Sequence, residues 1–143
     1  SDSFKETIQI VYPVHLNPNI MKIAYEKLTR ENIKLISPLD YPDLIWMMNR
    51  SNIILTDSGG IQEEAPSLGK PVLVLRDITE RMEGVHAGTA ILVGSSKEKI
   101  VVETSMLLTD VSYYLKISKA INPYGDGTTS EKIKEIILAN DRY

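Results

Sequence analysis

Short apolar runs alternate along the chain with stretches whose apolar positions recur at helical spacing. The runs predict β-strands at 8–12, 33–36, 53–56, 71–75 and 89–93. The stretches between and after them predict helices at about 18–29, 40–48, 59–68, 80–87, 96–108, 110–119 and 130–139. Strands that alternate with helices form βαβ units. The pattern therefore predicts an α/β fold, a Rossmann-like parallel sheet with helices on both faces.

Composition narrows the class of protein. The chain has 143 residues, of which 43% are apolar and 24% charged, which suits a single globular domain. The formal net charge is −3, and no basic stripe is present, which argues against a nucleic-acid partner. The absence of cysteine excludes disulfides and thiolate metal sites and fits a cytoplasmic protein. No apolar run is as long as a membrane span, so we expect no membrane partner.

The first residues are polar and run directly into the first predicted strand. The chain begins with Ser1 rather than an initiator methionine. We therefore expect residues 1–143 to be a fragment of a longer protein, cut inside or just after a helix.

The segment with the strongest chemical signal follows the predicted strand 53–56. Three small residues, Ser58, Gly59 and Gly60, form a turn, and a helix begins at once. Ligands of open parallel sheets bind beyond the carboxyl ends of the strands. Free N–H groups at a helix start favour an anion, and glycine lets a phosphate come close. The segment therefore predicts a phosphate site, although a Gly-Gly pair after a strand is often only a tight turn.

Charged residues around this turn extend the hypothesis. Glu64 lies one helical turn beyond Gly60, on the side of the loop, where a carboxylate would repel phosphate but could accept bonds from ribose hydroxyls. Glu63 lies about 100° around the helix and is expected to face solvent or another element. Arg81 follows the next strand and could donate two parallel hydrogen bonds to a diphosphate, and Arg76 is the other candidate for this role. A lone glutamate in a first helical turn usually only compensates the helix dipole, and a lone arginine is usually a surface residue, but their joint placement at one sheet edge favours the nucleotide site.

Four longer strings carry a family resemblance. Residues 12–19, 55–77, 79–81 and 122–127 are similar to the non-hydrolysing UDP-N-acetylglucosamine 2-epimerases, in family order and spacing, within a match that runs from about Ile8 to Ile137. The resemblance implies the GT-B architecture, two Rossmann-like domains with the active site between them. The chain would be the C-terminal, UDP-binding domain, nearly complete but lacking its opening strand. The N-terminal catalytic domain would be absent.

The resemblance also implies roles for particular residues. Ser58, Gly59, Gly60 and Arg81 would hold the diphosphate, Glu64 the ribose, and Leu39 and Leu44 the uracil. His15 would lie near a regulatory UDP-GlcNAc site, or it is a structural turn residue. The acid/base carboxylates of the family lie in the first domain, so no catalytic residue is expected in this chain, and no metal or cofactor is implied. Met82 and Ile78 depart from the family pattern on either side of Arg81 and could loosen that loop.

The family reaction interconverts UDP-GlcNAc and UDP-ManNAc by elimination and re-addition of UDP. The resemblance implies UDP or UDP-GlcNAc as ligand, the missing N-terminal domain as partner, and a homodimer for the full-length enzyme. Three alternatives stay open: a GT-B glycosyltransferase, a hydrolysing 2-epimerase, and a binding module without chemistry.

Three further residues receive structural expectations. Asp57 is expected to cap the backbone of the glycine turn, and Asp126 to make Asx-type bonds within the turn cluster 122–127. Trp46, beside Met47 and Met48, is expected in the core or at a domain interface.

Overall fold

The predicted elements are present in the computed structural model, which describes residues 4–140. The strands are β1 Ile10–Pro13, β2 Ile33–Ile36, β3 Ile54–Thr56, β4 Val72–Val74 and β5 Ala90–Leu92. The helices are α1 Pro18–Lys27, α2 Tyr41–Arg50, α3 Gly59–Glu64, α4 Met82–Ala87, α5 Lys97–Thr109, α6 Val111–Ser118 and α7 Thr129–Asn140, with a 3₁₀ helix at Ala65–Leu68 between α3 and β4. The expectation about a helix at the start of the chain concerns residues 1–3, which lie outside the described residues.

All strand pairing in the described part of the chain is parallel, which confirms the predicted α/β class. In one sheet β1 pairs with β2, and Ile10 lies opposite Ile33. In a second sheet β4 lies between β3 and β5, and Val72 lies opposite both Ile54 and Ala90. The chain divides into two compact units between Ile45 and Trp46, and each unit contains one of the sheets. The sequence pattern predicted the strands and their direction but treated them as a single sheet.

The core of the second unit is built around β4. All three residues of this strand are fully buried, as its unbroken apolar sequence predicted. Leu73 packs with Val93, Leu107 and Ile117, so residues from β4, α5 and α6 share one apolar cluster. Burial of these side chains fixes the position of β4, and the loops after β3 and β4 extend from the same sheet.

Capping residues explain where several helices begin. The Asn17 side chain accepts a hydrogen bond from the Asn19 amide at 3.0 Å, and Pro18 occupies the first helical position of α1. The Ser96 hydroxyl accepts from the Lys99 amide at 3.3 Å at the start of α5. Helix starts were therefore readable from the sequence to within two residues.

Trp46 does not lie in the core, one of the two places expected for it, and the other, a domain interface, stays a prediction. The Trp46 side chain is 63% exposed on α2, and the Arg50 guanidinium lies over the ring, 4.9 Å from the ring centroid. The cation–π contact, rather than burial, holds this tryptophan. None of the helices within residues 4–140 combines the length and apolarity needed to cross a bilayer.

Candidate functional site

The loop after β3 presents unpaired backbone donors. The Ser58 amide donates to the Thr56 hydroxyl oxygen at 3.0 Å, which fixes the turn at the strand end. Ser58 is the N-cap of α3, yet its exposed side chain makes no capping hydrogen bond. The first bond of the helix runs from the Gln62 amide to the Ser58 carbonyl at 3.3 Å. The N–H groups of Gly59 and Gly60 precede that bond and therefore remain available to a ligand.

Arg81 extends its guanidinium across Gly59. A Cβ placed on Gly59 would lie 3.4 Å from Arg81 Cζ, 3.5 Å from Arg81 Nη2 and 3.3 Å from Glu80 Oε1. Only the contact with Glu80 Oε1 is tighter than ordinary van der Waals contact, so the ends of the Arg81 and Glu80 side chains lie directly against the glycine turn. A Cβ on Gly60 would have only Ser58 Oγ near it, at 4.0 Å. The structure therefore brings Ser58, Gly59, Gly60 and Arg81 together, as the sequence predicted.

Two carboxylates orient the Arg81 guanidinium. Its Nε donates to Glu63 Oε1 at 2.7 Å, and its Nη1 lies 3.0 Å from Glu80 Oε1. The hydrogen bond to Glu63 raises the pKa of Arg81. The other candidate, Arg76, pairs with Glu80 at 3.2 Å. Arg81 is thus the arginine that reaches the glycine turn, and Glu63 faces another element, one of the two expected alternatives.

Glu80 lies between the two arginines and stays ionised. The pKa of Glu80 is lowered by a backbone hydrogen bond within the residue itself, and the charges of Arg76 and Arg81 add to the effect. A negative Glu80 beside a positive Arg81 leaves the local charge at the turn nearly balanced. An approaching anion therefore meets a guanidinium that is already held in place but partly neutralised.

A buried polar chain joins the two loops. Gln62 and Thr79 are 1% and 3% exposed. Gln62 Nε2 donates to the Ser58 carbonyl at 3.1 Å, and Gln62 Oε1 accepts from Thr79 Oγ1 at 2.7 Å. Thr79 Oγ1 in turn accepts from the Arg81 amide at 3.1 Å. Hydrogen bonds therefore run without interruption from the backbone of the glycine turn to the backbone of Arg81.

Tyr124 connects a distant turn to the same loop. Its hydroxyl donates to the Arg81 carbonyl at 3.2 Å and accepts from the Gly84 amide at 3.0 Å, across the first turn of α4. Asn122 secures the turn itself, because its side chain accepts from the Tyr124 amide at 3.1 Å and donates to Ser67 Oγ at 2.8 Å. Partial burial raises the pKa of Tyr124, so its hydroxyl stays a donor at neutral pH.

A cavity of about 400 Å³ lies beside Arg81. Its lining consists of Glu63, Glu80, Arg81, Glu83, Pro123 and Tyr124. Three of these six side chains are carboxylates and only one is a cation, so the cavity itself repels an anion.

The remaining predicted residues make no contacts, among the described residues, that test their roles. Glu64, at the end of α3, is half-buried, and no ion pair with it occurs among the described residues. Leu39 and Leu44 belong to the first unit and are half-buried. His15, also in the first unit, is exposed, and its Nδ1 accepts from the Asn17 amide at 3.1 Å. That bond fits a turn residue.

The predicted backbone contacts of Asp57 are wrong and those of Asp126 are confirmed. The expectation that Asp57 caps the glycine turn is wrong, because the Thr56 hydroxyl accepts the Ser58 amide and Asp57 is exposed. The Asx-type bonding of Asp126 is confirmed: its carboxylate accepts from the Thr128 amide at 3.0 Å and from the Thr128 hydroxyl, and it pairs with Lys132 at 3.3 Å. These contacts, the Thr128 hydroxyl first, lower the pKa of Asp126.

Sequence reasoning missed Gln62, Thr79 and Tyr124. Thr79 had a readable signal, because threonine two residues before a loop N–H often accepts from it, as Thr56 does for Ser58. Gln62 and Tyr124 act over 17 and 40 or more residues of sequence, and no local pattern reveals such partners. Across residues 4–140, no group of three or more His, Cys, Asp or Glu side chains could hold a metal ion.

Comparison with known proteins identifies relatives over nearly the whole chain. Residues 2–138 match the family model described as UDP-N-acetylglucosamine 2-epimerase. A UDP-N-acetylglucosamine 2-epimerase of Campylobacter jejuni is 55% identical over 132 residues, which are 92% of this chain and 34% of the relative. One of Escherichia coli K12 is 54% identical over 136 residues, 94% of this chain and 36% of the relative. The chain thus spans about a third of the length of these relatives.

Solved structures of similar proteins share the fold. A putative UDP-N-acetylglucosamine 2-epimerase from Listeria monocytogenes superposes with a TM-score of 0.88 at 46% identity, over 93% of this chain and 36% of that one. The UDP-GlcNAc 2-epimerase of Neisseria meningitidis, solved with UDP-GlcNAc bound, gives a TM-score of 0.87 at 48% identity, over 97% of this chain and 39% of that one. The parallel strands and helices of the chain are consistent with the C-terminal half of a GT-B fold.

Proposed function

The chain belongs to the UDP-N-acetylglucosamine 2-epimerase family. We propose, on this basis, that it binds a UDP-sugar through the diphosphate and the ribose. The observation that carries the proposal is the position of Arg81. Its guanidinium lies within van der Waals distance of the Cβ position of Gly59, at the edge of a turn with free N–H groups. Such a pairing of backbone donors with an arginine suits an oxyanion of high charge.

The diphosphate lies, in this proposal, between the start of α3 and the Arg81 guanidinium. The N–H groups of Gly59 and Gly60 and the Ser58 hydroxyl donate to phosphate oxygens. Glu63 and Glu80 hold the guanidinium at 2.7 and 3.0 Å, so little side-chain freedom is lost when the ligand binds. The related Neisseria structure contains UDP-GlcNAc and an S. aureus relative contains UDP, which supports a uridine diphosphate as the ligand.

The other parts of the nucleotide are assigned from the resemblance. Glu64 accepts hydrogen bonds from the ribose hydroxyls, and its lack of an ion-pair partner among the described residues leaves its carboxylate available for them. Leu39 and Leu44 contact the uracil. His15 belongs to a second, regulatory UDP-GlcNAc site.

The parent protein, in this proposal, is a UDP-N-acetylglucosamine 2-epimerase that interconverts UDP-GlcNAc and UDP-ManNAc. A base removes the proton at C2 of the sugar, the C1–O bond breaks and UDP leaves. UDP then adds back to the glycal, and C2 receives a proton on the other face. A separate N-terminal domain supplies the acid and base, residues 1–143 form the C-terminal UDP-binding domain, and the full-length enzyme is a cytoplasmic homodimer.

Calorimetry with UDP and UMP tests the nucleotide site. We expect UDP to bind more tightly than UMP, because removal of one phosphate removes charge-assisted hydrogen bonds at the turn. UDP-GlcNAc should bind about as tightly as UDP, since the chain holds the nucleotide rather than the sugar. Equal affinity for UMP and UDP would contradict the phosphate site.

Isotope exchange tests whether the base that removes the C2 proton lies outside this chain. The chain is incubated with UDP-GlcNAc in deuterated water, alone and with the remaining part of the parent protein. We expect no deuterium at C2 and no UDP-ManNAc with the chain alone, because a base must lie within hydrogen-bond reach of C2. Exchange by the chain alone would show that it carries a base of its own. Sugar transfer by the parent protein, without UDP-ManNAc formation, would identify a glycosyltransferase instead.

A further inference from the structure

The buried side chains of Gln62 and Thr79 form the only bridge made of side chains between Ser58 and Arg81 among the described hydrogen bonds. Gln62 lies on α3, and Thr79 lies in the loop that follows β4. Both are almost fully buried, at 1% and 3% exposure. A buried amide is costly unless its donor and acceptor are both satisfied.

The direction of every hydrogen bond in this bridge is determined by its two ends. The Ser58 carbonyl can only accept, so it must face the Gln62 amide nitrogen, at 3.1 Å. The Arg81 amide can only donate, so Thr79 Oγ1 accepts from it, at 3.1 Å, and turns its proton to Gln62 Oε1, at 2.7 Å. The bridge therefore has one consistent arrangement. A rotated glutamine or a rotated hydroxyl would leave a buried group unpaired.

The bridge fixes the two backbone positions between which an anion binds. Ser58 carries the turn with the free N–H groups of Gly59 and Gly60, and Arg81 carries the guanidinium that approaches Gly59. The carboxylates of Glu63 and Glu80 orient the end of the arginine side chain. They do not set the distance between the Arg81 backbone and the turn. Gln62 and Thr79 join the two backbones by hydrogen bonds.

We propose that Gln62 and Thr79 are positioning residues that set the separation between the anion-binding turn and Arg81, and so determine selectivity for a diphosphate over a monophosphate. The inference rests on the proposed function. Neither side chain touches the ligand. A monophosphate needs only one side of the site, either the turn or the arginine. A diphosphate spans both, so its affinity is sensitive to their separation.

Three substitutions separate positioning from simple stability. Thr79→Val keeps the size of the side chain but removes the hydroxyl, which leaves the Arg81 amide and Gln62 Oε1 unpaired. Thr79→Ser restores the hydroxyl. Thr89→Val is the matched control, because Thr89 is also buried, at 2% exposure, and its hydroxyl donates to the Gly84 carbonyl at 3.1 Å rather than to the bridge. Each variant is measured as the full chain, for melting temperature and for UDP and UMP affinity.

We expect Thr79→Val to lower UDP affinity by about tenfold, which is about 1.4 kcal/mol, with a smaller change for UMP. The ratio of UDP to UMP affinity therefore falls. Thr79→Ser retains the ratio, and Thr89→Val lowers the melting temperature without altering the ratio. Gln62→Met, combined with Thr79→Val, should cost little more than either substitution alone, because both break the same bridge.

The outcomes distinguish this inference from the proposed function. A wild-type chain that binds UDP no more tightly than UMP overturns the proposed function, and the inference with it. A wild-type chain that prefers UDP, with the same preference in Thr79→Val, overturns the inference alone. Amide NMR spectra provide a check without ligand: Thr79→Val should shift the Gly59 and Gly60 resonances. Spectra in which only neighbours of residue 79 shift would show that the bridge does not transmit position.

Discussion

Replacing Arg81 with lysine tests the geometry of the site most directly. The guanidinium meets Glu63 through Nε at 2.7 Å and Glu80 through Nη1 at 3.0 Å, while Nη2 is its nitrogen nearest to Gly59. Lysine keeps the charge but has a single ammonium group on a flexible stem, without the planar fork. A single ammonium group cannot contact Glu63, Glu80 and a ligand beside Gly59 at the same time. Arg81→Lys therefore isolates the contribution of the fork from that of the charge.

The expected magnitude follows from the bonds that are lost. A hydrogen bond that involves a charged group contributes roughly 1.5–3 kcal/mol, and each 1.4 kcal/mol changes an affinity about tenfold. If lysine forfeits one such bond to the diphosphate, UDP affinity falls roughly tenfold to a hundredfold. UMP affinity should fall less, because a monophosphate can be held by the turn alone.

The assay is calorimetric titration of wild type and two variants with UDP and UMP. The matched control is Arg76→Lys, because Arg76 also pairs with Glu80, at 3.2 Å, but has no atom among the three nearest to the Cβ position of Gly59. We expect this control to bind UDP as the wild type does. Equal losses in Arg76→Lys and Arg81→Lys, or no loss in either, would refute the assignment of Arg81 to the phosphate site.

Three further predictions concern the loop, the ribose and the pH dependence of stability. Gly60→Ala should leave the melting temperature unchanged or slightly raised, since a Cβ there meets nothing closer than 4.0 Å, yet it should weaken UDP binding by occupying the space of a phosphate. Gly59→Ala should also change the melting temperature little, because its Cβ would meet only the flexible ends of Glu80 and Arg81, but it should weaken UDP binding by displacing them. Unaltered UDP affinity in both variants would contradict the site. Glu64→Gln should abolish the preference for UDP over 2′-deoxy-UDP in titrations, whereas a preference that survives would remove Glu64 from the ribose site. Burial, with a hydrogen bond to Glu103, raises the pKa of Tyr113 from 10.0 to about 12. Between these two pH values the folded state retains a proton that the unfolded chain loses. The free energy of unfolding should therefore fall as pH rises from about 10 to about 12. Denaturant titrations of Tyr113→Phe should show a shallower fall over that range, and an identical pH dependence in both proteins would count against the shift.

Local patterns in the sequence determined most of the elements. The unbroken apolar run at β4 predicted a strand buried on both faces, and Asn17-Pro18 predicted the start of α1. Small residues after β3 predicted the turn that α3 follows. These predictions succeeded because period, capping and turn chemistry act between residues close in sequence.

The core placement of Trp46 and the capping role of Asp57 failed because the sequence does not show which nearby side chain makes the contact. Trp46 does not enter the core, although its neighbours in sequence are apolar, and it lies on the surface beneath Arg50. Asp57 was expected to cap the turn, but the buried hydroxyl of Thr56 accepts the Ser58 amide instead. In both cases the side chain that decides the outcome was present nearby in the sequence. Which neighbour makes the contact depends on the direction of the strand or helix that carries it.

What the sequence by itself determined is the order and type of the elements, and the candidates for an anion site at the ends of β3 and β4. Only the tertiary structure decided how these candidates meet. Arg81, rather than Arg76, reaches the glycine turn. Glu63 faces the Arg81 guanidinium instead of solvent, and Gln62 bonds to Thr79 in the interior. The physical reason is that burial makes each polar group find a partner, and partners 17 or 18 residues apart are selected by three-dimensional packing.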